Sequence, residues 1–441
     1  MTETKIIVLD DDPTGSQTVH GCLLLTRWDV ETLAEALDDA SPLFFVLTNT
    51  RGMDAARAAA LTREVCQNLR MALDQRAAAG RPLQPILVSR SDSTLRGHYP
   101  VETDVIAEKL GPFDAHFLVP AFFEGGRVTV DSVHYLGIDG RRVPTHETEF
   151  ARDSVFGYST SYLPDYVAEK TRGRIPAAAV ERFLLAEVRG DVRERLMALT
   201  GNTCCVVDGE RQADLDRFTV QILDAARAGK RFLFRSGASL LTALAGLPPQ
   251  PIAAEDMHRY VRGERPGAVI VGSHVKKTTA QLEALLAEPD VAPVEVDVDR
   301  IASDRARLLA EVLEQAGSAH AKGLAAVIFT SRVERTFPDQ ATRLAFGEQV
   351  SALLMDVVRG LPEDLGFLIS KGGITSNDVL STGLALRRSR VLGQVLPGCS
   401  VVRCPDDHPR YPGLPVVIFP GNVGEANALA TAFRRLAGAA R

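Results

Sequence analysis

The chain has 441 residues, 45% of them hydrophobic, which is enough apolar side chain for the cores of two or three globular domains. Its formal net charge is −6, from 50 basic and 56 acidic residues, a balance that favours neither a nucleic acid nor an anionic membrane as partner. Disordered chains, nucleic-acid binders and membrane-surface binders are therefore poorly supported as classes.

The cysteine pattern and the apolar runs predict a soluble, cytoplasmic protein. Six cysteines are scattered without C-x-x-C or zinc-finger spacing, so we expect reduced, buried thiols. The opening MTETKIIVLDDD has neither a basic region nor a long apolar core and is not typical of a signal peptide. A membrane-spanning helix needs about 20 predominantly apolar residues, and no run in this sequence approaches that length.

In the first half of the chain, short apolar runs alternate with helical patterns. The runs that predict buried strands are Lys5–Leu9, Cys22–Leu25, Leu43–Leu47, Ile86–Ser89, Phe117–Val119, Thr203–Val207 and Phe232–Phe234. Amphipathic patterns predict helices over 54–79, 100–110 and 211–229. The stretch 126–144 differs, because Asp139-Gly140 between two β-prone segments is typical of a hairpin turn.

Proline and glycine cluster at 246–252 and 263–267, which predicts a linker over 247–267 between a domain at 1–246 and a domain at 268–441. The second domain repeats the alternation, with strands predicted at Ala268–Val271, Val294–Val298, Ala325–Thr330, Gly366–Ile369 and Val416–Phe419 and helices near 278–287, 302–316, 339–359 and 424–437. Continuous apolar strands alternating with helices predict two α/β domains with mostly parallel sheets. Ligands of such sheets bind at the carboxyl ends of the strands.

Three consecutive aspartates, Asp10, Asp11 and Asp12, follow the first predicted strand directly and precede Pro13-Thr14-Gly15. Neighbouring carboxylates raise one another's pKa unless a cation or a hydrogen-bond donor intervenes. Their uses at a strand end include binding substrate hydroxyls, accepting a proton and holding Mg²⁺ through water. The alternative is a solvated acidic turn that caps the next element.

A second polar stretch, Ser89–His98, follows the predicted strand at 86–89 and contains two arginines, several hydroxyls and Asp92. Arginine forks match carboxylates and phosphates, and the hydroxyls suit a polyhydroxylated ligand. Arg51 follows the neighbouring strand and is expected to join them. The alternative is a Ser/Thr-rich turn with a helix cap. His134, within the predicted hairpin, is expected to be a packed strand histidine rather than a base.

Three glycine-bearing segments follow predicted strands in the second half, at 272–274, 370–377 and 420–425. Each can direct backbone N–H groups at an anion, so together they predict a phosphate-binding site. Lys276, Lys277 and Lys371 add positive charge, although exposed lysines are usually only solvated. The sequence lacks the P-loop, the G-x-G-x-x-G fingerprint, H-E-x-x-H and G-x-S-x-G.

These motifs, in this order, resemble the four-carbon acid sugar kinases, a family that includes kinases of threonate, erythronate and 3-oxo-tetronate. The family's Ala-Asp-Asp-Phe-Thr-Gly is similar to Asp10–Gly15, and its Lys-Ile-Asp-Ser-Thr-Leu-Arg-Gly is similar to Arg90–Gly97. Its Pro-Ala-x-Pro-x-Gly-Gly-Arg-x-Thr is similar to Pro120–Thr129. Its nucleotide-side glycine motifs are similar to Gly272-Ser273, Gly372–Thr375 and Gly421–Gly424.

The resemblance implies an N-terminal domain that binds the sugar acid, a C-terminal domain that binds ATP, and an active site in the cleft between them. Carried over by position, the substrate-binding residues are Asp11, Arg51, Arg90, Ser91, Asp92, Ser93, Thr94 and Arg96. The ATP-binding residues are Ser273, Lys371, Gly372, Gly373, Ile374, Thr375, Gly421, Asn422 and Gly424.

The resulting hypothesis is a kinase in which Arg51, Arg90 or Arg96 binds the substrate carboxylate. Asp12 or Asp92 then orients a terminal hydroxyl and accepts its proton, and Mg²⁺ bridges the β- and γ-phosphates of ATP. The acid itself and the metal ligands are left open, and a homodimer is the default expectation for a metabolic enzyme.

Two other classes are weighed against the kinase. Ile374 and Pro420 depart from the family pattern, which motivates a non-catalytic sensor of sugar acid and ATP. Pro13 and Arg90-Ser91 depart from it as well, and these departures bear on which acid is bound. A sugar-acid dehydrogenase is the third, and it is disfavoured because the dinucleotide fingerprint is missing.

Overall fold

The computed structural model describes residues 3–273, 275–332, 335–421 and 423–438. The chain forms two compact units that divide between Pro248 and Pro249. Each unit is built on its own run of parallel strands, with helices packed against the strands. The prediction of two α/β domains with mostly parallel sheets is confirmed.

The main sheet of the first unit is parallel throughout, in the order β2-β3-β1-β4-β11-β5-β10-β9. In chain order the strands of this unit are β1 Glu3–Asp10, β2 Leu23–Leu25, β3 Leu43–Leu47, β4 Leu83–Arg90, β5 Ala115–Val119, β6 Arg127–Val130, β7 Val133–Ile138, β8 Arg141–Pro144, β9 Glu181–Phe183, β10 Thr203–Val207 and β11 Phe232–Ser236. Most strand residues are buried, as the continuous apolar runs predict for a sheet covered on both faces.

The helices of the first unit are α1 Val30–Asp38, α2 Ala55–Ala78, α3 Val101–Leu110, α4 Leu163–Lys170, α5 Leu185–Val188, α6 Arg193–Ala198, α7 Gln212–Arg227 and α8 Ala238–Ala245. Helices α1 and α2 begin where an aspartate caps them: Asp29 accepts the Thr32 N–H at 3.0 Å, and Asp54 accepts the Arg57 N–H at 2.9 Å. The predicted hairpin is confirmed within the antiparallel sheet β6-β7-β8, where Asp139 and Gly140 both have positive φ, as a tight hairpin turn requires.

The second unit has the strand order β13-β14-β12-β15-β18-β17-β16. The first five strands in this order are parallel to their neighbours, β17 pairs antiparallel with β18, and β16 pairs antiparallel with β17. Its strands are β12 Ala268–Val271, β13 Val291–Val296, β14 Ala325–Thr330, β15 Leu368–Lys371, β16 Arg388–Leu396, β17 Cys399–Arg403 and β18 Pro415–Phe419. Its helices are α9 Lys276–Leu286, α10 Ile301–Ala321, α11 Gln340–Gly360, α12 Gly373–Asp378 and α13 Ala428–Ala437.

The six cysteines are free and buried, as predicted. In the described part of the chain, none of the helices combines the length and the apolar character that crossing a bilayer requires.

An aromatic cluster fills one side of the first unit around Phe117 on β5, which is fully buried. Its ring centroid lies 5.3–5.9 Å from the rings of four other phenylalanines, namely Phe183, Phe218, Phe232 and Phe234. Such ring pairs add to the free energy gained from burying their large apolar surface.

We expect Phe117→Ala to lower the free energy of unfolding by about 3–5 kcal/mol, because it leaves a cavity among rings that cannot collapse into it. Urea unfolding followed by circular dichroism measures the change. The matched control is Val220→Ala on α7, where the side chain is 58% exposed and the change should stay within about 0.5 kcal/mol. Equal effects of the two substitutions would contradict the role of the cluster.

Candidate functional site

The first unit gathers its polar residues at the carboxyl edge of neighbouring parallel strands. Asp10, the last residue of β1, lies opposite Leu47 of β3 and Arg90 of β4. Ser236 ends β11 beside Arg90. Since the chain continues from each strand into a loop at the same edge, the aspartates, Arg51 and the segment 91–96 all lie there.

Arg51 is shared between two of the three aspartates. Its Nη2 donates to Asp11 Oδ1 at 2.5 Å, and its Nη1 lies 3.3 Å from Asp12 Oδ2. Burial lowers the pKa of Arg51, but Asp11, Asp12 and Asp92 outweigh that effect and hold it well above its ordinary value. Arg51 is therefore charged at every accessible pH and relieves the repulsion between the neighbouring carboxylates.

Asp12 is the partly exposed member of the acidic run, with 21% of its side chain accessible. One carboxylate oxygen accepts hydrogen bonds from both the backbone N–H and the hydroxyl of Thr14. Burial raises the pKa of Asp12, but Arg51 and the Thr14 donors outweigh it and leave the pKa below its ordinary value. Asp12 is thus ionised at neutral pH and partly exposed at the edge.

Asp92 is the second ionised carboxylate at this edge. It accepts a hydrogen bond from the Thr94 hydroxyl, and Arg96 Nε donates to its Oδ2 at 2.7 Å. Burial raises the pKa of Asp92, but Arg51 and Arg96 outweigh it and hold the pKa well below its ordinary value. Arg96 in turn lies 3.8 Å from Asp153, and its guanidinium is 4.9 Å from the centre of the Phe150 ring.

Asp10 and Arg90 form a separate, fully buried pair. Arg90 Nη1 is 3.9 Å from Asp10 Oδ1, too far for a hydrogen bond, and neither Asp10 Oδ2 nor Arg90 Nε has a hydrogen-bond partner among the described residues. Burial therefore dominates over the attraction to Arg90 and raises the pKa of Asp10 to about 8. A Cβ at Gly15 would overlap the Asp10 carboxylate, so only glycine fits there.

The other predicted substrate residues have most of their polar atoms bound within the protein. Ser91 is 3% exposed, and its hydroxyl lies 2.6 Å from Asp11 Oδ2. Ser93 is buried, and its carbonyl accepts a hydrogen bond from His134 Nε2 at 2.8 Å, while His134 Nδ1 pairs with the Thr129 hydroxyl at 2.9 Å. Burial lowers the pKa of His134 to about 4, so it is a neutral, packed strand histidine, as expected from the sequence.

Two arginines of this edge were not among the predicted site residues. Arg235 continues the apolar strand β11, and it donates to Ser89, Ser91 and Glu102 while only 4% exposed. Arg127 begins β6; its Nη1 donates to the Gly125 carbonyl at 2.5 Å, and its guanidinium lies 5.7 Å from the centre of the Phe122 ring. Burial lowers the pKa of Arg127. The sequence does carry a signal for Arg235, because this arginine directly follows the apolar run Phe232–Phe234.

In the second unit, β12, β15 and β18 are adjacent, so their glycine loops meet at one edge. A cavity of about 450 Å³ opens there. Its lining includes Gly272 and the predicted ATP-binding residues Ser273, Gly372, Gly373, Ile374, Thr375 and Gly421. A Cβ at Gly272 would collide with the Thr375 hydroxyl, which explains the close approach of these two loops. Gly372 has φ +118°, a conformation that glycine adopts without strain.

The far wall of this cavity is aromatic and cationic, which the sequence interpretation did not anticipate. Phe337 and Phe346 lie with ring centroids 5.2 Å apart, and the Arg335 guanidinium is 4.7 Å from the centre of the Phe346 ring. Arg335 also pairs with Asp299 at 3.1 Å. Aromatic faces and a nearby guanidinium suit a planar, electron-rich ring.

Two predicted nucleotide residues, Lys371 and Gly424, are not among those that line the cavity. Lys371 is buried, donates to the Pro420 carbonyl at 2.6 Å and lies 4.3 Å from the centre of the Phe419 ring; burial lowers its pKa to about 8. The carbonyl of Gly424 accepts a hydrogen bond from Gln281 Nε2 at 3.3 Å. Asn422 lies outside the described residues.

Within the residues that the structure describes, no group of three or more His, Cys, Asp or Glu side chains is arranged to hold a metal ion. The acidic run does not provide such a group, because Asp11 and Asp12 are paired with Arg51.

Two α/β units, one with a carboxylate–guanidinium edge and one with a glycine-lined cavity, define a bipartite protein that binds small polar molecules. Residues 6–244 match the model of a sugar-binding N-terminal domain, and residues 268–429 match that of a nucleotide-binding C-terminal domain. The chain belongs to the four-carbon acid sugar kinase family, and the resemblance seen in the motifs is confirmed.

Curated relatives cover nearly the whole chain at low identity. A D-erythronate kinase of Heliobacterium modesticaldum is 24% identical over 97% of this chain and 96% of its own length. A D-threonate kinase of Salmonella typhimurium is 27% identical over 97% of each chain.

Solved structures share the fold. A Haemophilus influenzae protein superimposes with a TM-score of 0.65 at 15% identity, covering 98% of this chain and 100% of its own. A protein of Salmonella typhimurium LT2 gives a TM-score of 0.70 at 18% identity, covering 98% of each chain.

The raised pKa of Asp10 predicts a pH-dependent stability. Between the ordinary aspartate pKa and about 8, folded Asp10 keeps a proton that the unfolded chain has released, so the free energy of unfolding falls as pH rises. The contribution of this one group is at most about 1.4 kcal/mol per pH unit.

Asp10→Asn should remove this part of the decline, because an amide resembles the protonated carboxyl and does not ionise. Chemical unfolding at acidic, neutral and mildly alkaline pH measures the slope for both proteins. Asp74→Asn, at an exposed position of α2, is the control and should leave the slope unchanged. A wild-type slope retained in Asp10→Asn would show that Asp10 is ionised in the folded state.

Proposed function

We propose that the protein is an ATP-dependent kinase that phosphorylates a terminal hydroxyl of a four-carbon, or related branched, sugar acid. The observation that carries the proposal is the edge of the sugar-binding unit, where Asp12 and Asp92 are ionised and partly exposed beside Arg51 and Arg96. Such an edge supplies acceptors for substrate hydroxyls and charge for a carboxylate. The names of the D-erythronate and D-threonate kinase relatives support the substrate class.

The substrate carboxylate requires a guanidinium with free donors. Arg51, Arg90 and Arg96, the three predicted ligands, each already face an aspartate. Arg127 forms no ion pair with a carboxylate of the described residues, and its Nη1 donates to the Gly125 carbonyl at 2.5 Å. Its Nε has no hydrogen-bond partner there, as is also the case for Nε of Arg51 and Arg90. We therefore add Arg127 to the three arginines as a carboxylate ligand, since it is the one of the four that no aspartate already holds in an ion pair.

The proposed chemistry is an in-line phosphoryl transfer. The terminal hydroxyl oxygen attacks the γ-phosphorus, the bond to the β–γ bridging oxygen breaks, and the hydroxyl proton passes to Asp12 or Asp92. A loose transition state needs little basicity, so a carboxylate with a lowered pKa is adequate to orient the hydroxyl and receive the proton late.

The nucleotide is proposed to occupy the cavity of the second unit. Phe337 and Phe346 would contact the adenine ring, and the loops at Gly272, Gly372 and Gly421 would present backbone N–H groups to the phosphates. Mg²⁺ is expected to enter with ATP and to neutralise phosphate charge.

A sensor that binds both ligands without transfer is the second candidate. Ile374 favours it, because this position of the phosphate loop carries an apolar side chain that is 74% exposed, where the family has a glutamate. ATP-dependent formation of a phosphorylated acid separates the two candidates.

The kinase is tested by ADP release with Mg²⁺-ATP against threonate, erythronate, their 3-oxo forms and 3-oxo-isoapionate, with product masses measured. We expect one acid to gain a phosphoryl group. Asp12→Asn and Asp92→Asn should be compared on that acid, and the variant that removes the proton acceptor should lose about 100-fold or more in kcat. ATP binding without product from any acid would favour the sensor, and near wild-type kcat in both variants would reject both as the base.

Phe346→Ala should weaken ATP binding by about threefold to tenfold, because one stacking face of the cavity is lost. Calorimetric titration with ATP measures the dissociation constant. The control is Leu344→Ala. Leu344 is on the same helix, α11, but its side chain is 57% exposed and does not line the cavity. An unchanged dissociation constant in Phe346→Ala would place the adenine ring elsewhere.

A further inference from the structure

A chain of buried polar side chains lies behind Asp11. Arg235 Nη1 donates to Glu102 Oε2 at 2.5 Å, and Arg235 Nη2 donates to Ser91 Oγ at 2.6 Å. Ser91 Oγ in turn lies 2.6 Å from Asp11 Oδ2. These four residues are 2–6% exposed, so water does not compete for their hydrogen bonds.

The direction of this chain follows from its donors. A guanidinium only donates, so Ser91 Oγ must accept from Arg235, and its single proton is left for an acceptor on the other side. Two acceptors are in reach, Asp11 Oδ2 at 2.6 Å and the Arg96 carbonyl at 2.9 Å. The shorter, charge-assisted bond to the Asp11 carboxylate is the stronger one. In these contacts the Ser91 hydroxyl donates and accepts hydrogen bonds only within the protein.

The backbone of Gly97 packs closely against this junction. Gly97 has φ +114°, and a Cβ there would lie 2.6 Å from Arg235 Nη2 and 2.9 Å from Asp11 Oδ2. The same Cβ would come even closer to Ser91 Oγ. The backbone of Gly97 therefore closes over the point where Arg235, Ser91 and Asp11 meet.

We propose that Arg235 is a positioning residue that acts through Ser91 to hold the Asp11 carboxylate. With Ser91 on Oδ2 and Arg51 on Oδ1, Asp11 is held at both oxygens. Arg51 spans Asp11 and Asp12, so the placement of Asp11 also sets the Arg51 fork beside Asp12. The inference rests on the proposed function, because its effect is read as turnover of the sugar acid.

Ser89 provides a matched control for Ser91. Both serines are buried on the β4 side of the edge, and both accept a hydrogen bond from Arg235, at 2.7 Å for Ser89 and 2.6 Å for Ser91. Only Ser91 is hydrogen-bonded to Asp11. Removing the Ser89 hydroxyl leaves Arg235 Nη1 bonded to Glu102.

The test is a double-mutant cycle on kcat/KM for the sugar acid, with Ser91→Ala, Arg235→Lys, the double variant and Ser89→Ala. We expect each of the first two to lower kcat/KM about tenfold or more, because a lysine lacks the fork that reaches both Glu102 and Ser91. The double variant should be no worse than the more severe single variant, because the two residues act in series. Ser89→Ala and the KM for ATP should stay within about twofold of wild type.

Independent, multiplicative losses in the double variant would overturn the proposal, and so would equal losses in Ser89→Ala and Ser91→Ala. Thermal unfolding shows whether Arg235→Lys folds. If it does not, the comparison of Ser91→Ala with Ser89→Ala still tests whether the bond from Ser91 to Asp11 matters for turnover. Failure of the proposed function is separate, because it appears as wild-type protein that turns over no acid. In that case the same cycle is measured on the dissociation constant of the acid, and wild-type protein without affinity for any acid overturns both proposals.

Discussion

The repulsion between three consecutive carboxylates is the constraint on which the first unit depends. A parallel sheet brings strand ends together at one edge, and here that edge receives Asp10, Asp11 and Asp12 within a single turn. The unit relieves the repulsion by placing one arginine, Arg51, between two of them. The loop after β3 and the loop after β4 are arranged around this contact, which is why charged side chains accumulate there.

Burial then gives the three aspartates different properties. Asp10, without a close donor, has its pKa raised to about 8 and is suited to packing against Gly15 and Arg90. Asp11 is buried but held by Arg51 and Ser91, so it orients other groups. Asp12 is partly exposed, and its pKa is lowered, so it remains an anion that can meet a hydroxyl. One tripeptide thus supplies a buried carboxyl with a raised pKa, a buried carboxylate held at both oxygens and a partly exposed anion.

The sequence predicts this organisation well where the apolar runs are continuous. Strands β3, β10, β12 and β14 have the predicted bounds, because each is a run of buried residues that ends in a turn. Strands β16 and β17 were not anticipated, since arginines and Gln394 interrupt the apolar pattern of an antiparallel pair. The sequence also predicts that Asp11, Arg51 and Asp92 lie at one edge of the sheet, because each is a charged residue that closely follows a predicted strand.

The residues that escaped prediction act through tertiary contacts. Arg235 stands more than 140 positions from Ser91, and only the adjacency of β4 and β11 brings the two together. In the sequence, Phe337 and Phe346 are ordinary apolar residues. Only the structure places their rings beside Arg335 in the cavity lining. Lys371 shows the reverse case, because a lysine next to a glycine loop suggests phosphate binding, whereas its ammonium donates to the Pro420 and Gly421 carbonyls beneath that loop.

A crystal structure of the complex with the sugar acid that the protein turns over tests the central claim most directly. We expect the acid at the edge formed by Arg51, Asp12 and Asp92, with its carboxylate on Arg127 or on one of the three predicted arginines and a terminal hydroxyl within hydrogen-bond distance of Asp12 or Asp92. An acid bound away from this edge, or bound there with its terminal hydroxyl turned away from both aspartates, would contradict the account.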